Sequence, residues 1–252
     1  MSSNEAVELP PLSSWQVLSL RTTAFYNPDE KVDPTRLWFE IMESPPDTEL
    51  RKPKEGIVHL EGPSENGKQS ITTALGRTDF RLEGGEGGGN PSPLGSPEEV
   101  FPGFTRLSKS LLGSVSFPPA SRLAFGTVMD LPVEDKDEGY RQLSAYLPFR
   151  IDASNSSDFF YRINRPRLSG TKNGLTVNRV SGWSLRIIRK TQLTLSPTGH
   201  LAASAKSTGP EYACRVELDI NTDAEFNGRV DEATFDELVV LAKEIYARGD
   251  VP

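Results

Sequence analysis

Residues 62–70 read GPSENGKQS and follow the apolar run IVHLE. The spacing of Gly62, Gly67 and Lys68 fits the phosphate-binding form GxxxxGK[ST], in which backbone amides cradle phosphate, the lysine reaches the terminal phosphates and a hydroxyl binds magnesium. Gln69 stands where that hydroxyl belongs, and Ser70 comes one residue late. The following SITTALGRTDF is rich in β-branched residues and contains a glycine, which predicts a strand, whereas a phosphate loop needs a helix N-terminus behind it. The favoured reading is a hairpin turning at Glu65, Asn66, Gly67 and Lys68, because Asn-Gly is a strong turn signal. Nucleotide binding through Gly62, Gly67 and Lys68 is the minor reading.

Other chemistries have less to stand on. Both histidines, His59 and His200, fall in predicted strands, and no HxxxH, HxH or HExxH spacing occurs, so no metal site is expected. Cys214 is the only cysteine, which excludes an internal disulfide. It lies inside the strand-like YACRVELDI with no activating pattern nearby, and a GxSxG elbow is missing. Acid pairs such as Asp135 with Asp137, or Glu98 with Glu99, read as helix-start charges. GGEGGGN (84–90) lacks both the GxGxxG order and a helix start. No cofactor is expected; an active site assembled from scattered residues stays open as an alternative.

These residues need a scaffold, and the pattern of apolar residues predicts one. WQVLSLRTTAFY (15–26) reads as a strand; Asp33 and Pro34 read as the cap and first residue of a helix through TRLWFEIMES; GIVHLEG and QSITTALGRTDFRLEG read as a pair of strands. Residues 84–97, GGEGGGNPSPLGSP, predict a flexible loop or linker, and a short helix is expected around 105–112, with an earlier start equally compatible. SRLAFGTVMDLPV then reads as a strand and EGYRQLSAYLP as a helix. SDFFYRINR, GLTVNRV, WSLRIIRKTQLTLS, HLAASAKS and EYACRVELDI read as short antiparallel strands, and 231–248 as a closing helix. The expected class is α+β, a mainly antiparallel sheet with helices on one side, and both halves repeat the order strand, helix, strands, helix. The corresponding division is a leader (1–14), an N-terminal half (15–83), a linker (84–97) and a C-terminal half (98–252).

Composition constrains the partners. The chain has 252 residues and a net charge of −7, with 36% hydrophobic residues. No basic, apolar leader and no run of 18 apolar residues occurs, which predicts a soluble, cytoplasmic protein with no membrane contact. The charge is polarised: residues 159–210 contain no Asp or Glu but nine Lys or Arg. If 158–165 is a strand, Phe159, Tyr161, Ile163 and Arg165 share the core face, while Asp158, Phe160, Arg162 and Asn164 share the other. Phe160 beside Arg162 and Asn164 is a combination used to stack bases and hold phosphates. Arg186 and Lys190 share a face of WSLRIIRK, and Arg179 and Lys172 lie in neighbouring turns or strand ends, so several cations, Arg165 and Arg167 among them, could converge on one basic sheet surface. That surface could equally be solvated or paired with the protein's own acids, or serve an acidic protein partner, for which arginine and aromatics are the expected anchors.

SRLAFGTVMDLPV together with CRVELDINTDAEF and ATFDELVVLAKEIY resembles a sporadically distributed bacterial family of similar length. Its members combine a central arginine-to-aliphatic strand with a late LDI strand and a closing helix. The family has no established activity, so the resemblance implies no site residues; its patchy distribution implies a mobile or host-defence context. The glycine-rich 84–97 segment and the long acidic turns depart from that pattern. The leading functional expectation is a non-enzymatic interaction protein, a subunit or regulator of a larger bacterial assembly whose partner is encoded nearby. A nucleic-acid-binding protein using the same basic, aromatic surface is the runner-up, and an enzyme with a dispersed site comes third.

Overall fold

A computed structural model describes residues 9–87, 90–154, 156–188, 191–195, 201–207 and 209–249, with the backbone path alone for 86–87, 90–91, 191–195 and 201–207. After a 3-10 turn (Leu12–Ser14) come β1 (Gln16–Phe25), α1 (Pro34–Met42), β2 (Thr48–Lys52), β3 (Ile57–Ser64), β4 (Gly67–Ala74), β5 (Arg77–Gly84), the short β6 (Glu86–Gly87) and β7 (Asn90–Pro91), and α2 (Pro97–Leu112). The chain continues through β8 (Arg122–Val133), α3 (Lys136–Tyr146), β9 (Phe160–Asn164), β10 (Arg167–Leu168), β11 (Thr176–Ile188), β12 (Thr191–Leu195), β13 (Leu201–Ser207), β14 (Glu211–Thr222) and α4 (Glu232–Arg248).

The fold is α+β. Ten strands form one sheet in the order β10, β11, β14, β8, β1, β5, β4, β3, β2, with β9 also pairing with β11. The antiparallel pair β1 and β8 lies at its centre, flanked by the last long strand of each half, β5 and β14. The two halves therefore repeat their order outward from a shared middle. They differ where a tight turn at Leu75 and Gly76 joins β4 to β5, whereas the β12–β13 hairpin is inserted between β11 and β14.

Local chemistry sets the elements. Asp33 caps α1 by accepting the Thr35 and Arg36 amides, and Asp135 and Asp231 cap α3 and α4 in the same way. Strand alternation then decides the faces. On β1, Leu20, Thr22 and Ala24 are buried toward the helices, and the Thr22 hydroxyl pairs with Ser108 of α2 at 2.7 Å. Packed between sheet and helices are Phe80 stacked on Phe104, Phe125 against Phe101 and Phe235, and Phe101 against Tyr246. Each such ring, fully buried, contributes roughly 1.5–3 kcal/mol. Gly62 lets β3 pass beneath Trp38 of α1, since a Cβ there would stand 2.9 Å from the indole.

Two expectations change, and one open choice is decided. QSITTALGRTDFRLEG is two strands, because Gly76 at φ +65° closes a turn that β-branched neighbours disguise. GLTVNRV and WSLRII form the single strand β11, running straight through Gly182. The helix expected around 105–112 begins at Pro97, where Ser96 and Glu99 form a reciprocal cap, and Pro102 removes one donor without ending it. Strand β2, TELRK, gave no sequence signal because every residue is exposed at the sheet edge. No helix among the described residues is long and apolar enough to cross a membrane.

Candidate functional site

With the helices gathered on one side, every second strand residue points to the other face of the sheet, where Thr23, Asp79 and Asp130 are nonetheless buried among their neighbours. Cross-strand register sets Arg162 of β9 beside Gly182, Glu217 and Val128, then Ser19, Glu83 and Lys68. The next row runs Val180, Asp219, Gly126, Arg21, Arg81 and Ser70. Basic and acidic side chains are thus interspersed across the face, with Arg21 and Arg81 side by side at its centre.

Phe160, Arg162 and Asn164 all lie here, on the side that alternation predicts. Phe160 is 60% exposed and its ring lies over Gly182, 3.6 Å from where a Cβ would be. Asn164 is held in a polar chain: it donates to Asn178 Oδ1 at 2.9 Å and accepts the Arg179 amide at 3.0 Å, and Asn178 donates to Asn221 Oδ1 at 3.2 Å. Arg186 is on the same face but donates to Asp130 Oδ2 at 2.9 Å; Arg215 donates to both oxygens of that carboxylate at 2.8 and 3.2 Å.

The remaining cations do not converge with these. Arg179 points to the helix side, opposite buried Ile220, and together with Arg167 it meets Glu244 of α4 at 3.8 and 3.1 Å. Lys172 pairs with Asp231 at 2.5 Å, and Arg165 is half-buried with its amide donating to the Arg179 carbonyl. Lys190 lies outside the described residues. The described cations of 159–210 are therefore divided between two faces, and acids of β5, β8 and β14 interleave with those on the helix-free one.

Gly62, Gly67 and Lys68 sit in the β3–β4 hairpin. Ser64 pairs with Gly67 across a turn at Glu65 and Asn66, and strand β4 follows where a phosphate loop would require a helix. Lys68 Nζ meets Glu61 at 3.3 Å. His59 pairs with the Thr72 hydroxyl at 2.8 Å, and His200 lies outside the described residues. Among the described residues no three potential metal ligands come together.

Cys214 is buried on the helix side, its thiol donating to the Gly139 carbonyl at 3.3 Å. Burial, reinforced by the negative charge of Glu138, pushes its pKa up to about 12. A neutral, enclosed thiol is no nucleophile, so native protein should not react with a thiol-titrating disulfide reagent at pH 8, while unfolded protein should release one equivalent. The folded pKa lies above the unfolded one, so this group's stabilisation is present below pH of about 9 and falls progressively up to about 12. A urea-midpoint series should show that decline, weakened in Cys214→Ala.

A depression of about 300 Å³ opens in the middle of the face, between Gly126, Ser19 and Val180. Arg21, Arg81 and Arg162 line it, as do Glu83, Glu217 and Asp219. The Arg21 guanidinium lies flat over Gly126, 3.4–3.6 Å from where a Cβ would stand. Apart from Arg162, sequence reading missed these residues. Their signal is the every-second-residue polarity of SLRT, RTDFRLE and RVELDIN on either side of apolar partners. No family model matches the chain, and neither does any curated protein.

Proposed function

We propose that the protein is a non-enzymatic interaction subunit that docks a partner protein on the helix-free face of its sheet. The observation that carries this reading is the mosaic of that face. A sheet bare of helices on one side, with an exposed aromatic and several arginines set among carboxylates, suits a protein surface, where aromatic and arginine anchors sit within a polar rim. Nucleic acid is the weaker reading because a phosphate backbone needs net positive potential. Here Glu83, Glu217, Asp219 and Asp130 stand between the cations. A cytoplasmic assembly, with the partner encoded nearby, completes the proposal.

The test is affinity capture from the native host. Wild-type protein should retain one stoichiometric partner that is lost with the double charge reversal Arg162→Glu and Glu217→Lys and kept with Val240→Glu on exposed α4. A single-stranded oligonucleotide that binds tightly at low salt and loses affinity steeply as salt rises would favour the nucleic-acid reading instead.

A further inference from the structure

We infer that the depression around Gly126 receives a side-chain carboxylate of the docked protein, held by Arg21, Arg81 and Arg162. This rests on the docking reading and specifies its anchor. Unfilled hydrogen bonds set these three arginines apart. Other arginines of this face are committed at short range: Arg215 and Arg186 to Asp130 at 2.8 and 2.9 Å, Arg77 to Asp79 at 2.9 Å, and Arg122 to the Thr222 carbonyl at 2.9 Å and Asn221 at 3.1 Å.

Around the depression the pairing loosens. Arg21 comes no nearer Asp219 than 3.8 Å, and Arg81 is 3.7 Å from Glu83, both beyond hydrogen-bond length. The Nε–H of Arg21 is buried without an acceptor among the described residues, as is that of Arg77, so the Arg21 donors open to a ligand are those of its terminal nitrogens. Arg162 has no carboxylate partner among them either. Three planar guanidinium groups with donors to spare thus border one recess, where Gly126 leaves room for the Arg21 guanidinium to lie flat and Ser19 puts little into the opening. Guanidinium forks match a carboxylate in bidentate geometry, and such charge-assisted bonds are the strong ones. The three acids in the same lining cancel the net positive charge. They select against a multiply charged phosphate, while a single carboxylate can still reach the arginines. A neighbouring basic residue on the partner would then meet Glu217 or Asp219.

The test uses the intact protein and a defined probe, N-acetylglutamate amide, which carries one side-chain carboxylate. Arginine Nε–Hε resonances are followed by NMR during titration. The signals of Arg21, Arg81 and Arg162 should shift together and saturate, with N-acetylglutamine amide inert. Arg162→Met, at an exposed position that leaves folding intact, should weaken binding about tenfold, and Lys109→Met should leave it unchanged. A linear response, shifts spread over unrelated arginines, or tighter binding of inorganic phosphate would overturn the assignment. The docking reading fails separately: probe binding without partner capture removes docking and leaves the pocket, and capture with an inert pocket does the reverse.

Discussion

Replacing Asp130 by alanine should destabilise the protein by about 3 kcal/mol, because it removes the carboxylate that two partly buried guanidinium groups share. The Asp130 side chain is 9% exposed, and Arg215 and Arg186 are 18% and 25% exposed, so water screens the cluster only in part. The carboxylate accepts from Arg215 through both oxygens and from Arg186 through one. Loss of one partner of a partly buried charge cluster costs more than the cluster itself is worth. Urea denaturation should therefore show a lowered midpoint with an unchanged slope, and adding Arg215→Met to the Asp130→Ala background should recover part of the loss. A midpoint indistinguishable from wild type would mean that the cluster is a solvated surface pair.

The second large effect lies under the sheet. Trp15 and Trp183 are both 0% exposed and Tyr146 is 1% exposed; Tyr146 stacks on Trp183 at 5.2 Å, and Trp15 Nε1 donates to the Tyr146 hydroxyl at 3.1 Å. This trio joins the start of β1 to α3 and β11, so it fixes the two halves at one end of the central strands. Trp183→Ala should cost about 3–5 kcal/mol, the usual range for a large aromatic replaced in a core. Trp183→Phe should cost far less, since Trp183 Nε1 is buried without an acceptor among the described residues and phenylalanine removes that donor. Trp15→Phe, which discards a made hydrogen bond, should cost more than Trp183→Phe. Thermal unfolding of the three variants checks the order; equal losses for the two phenylalanine variants would contradict it.

Fold class was readable because alternation and capping are local. Asp33, Asp135 and Asp231 announce their helices within one turn, and the alternation of 158–165 places Phe160, Arg162 and Asn164 on the correct side. The electrostatic character of the face was not readable for the same reason. A run of 52 residues without an acid looks like a basic surface along the chain. Yet in a sheet the nearest neighbours of Gly182 and Val180 are Glu217 and Asp219 of another strand. Arg167 and Arg179 lead away from it because α4, remote in sequence, brings Glu244 to the opposite side. Strand order and register carry that information, and both depend on pairings between distant segments.

On this reading the helix-free face, and not the helical one, meets another protein. A photo-crosslinking phenylalanine analogue at Phe160, compared with the same residue at Val240 on α4, tests it in cells of the native host. A discrete protein adduct is expected from position 160, lost on adding Glu217→Lys, and none from position 240. An adduct from 240 alone, or only nucleic acid captured at 160, would contradict it.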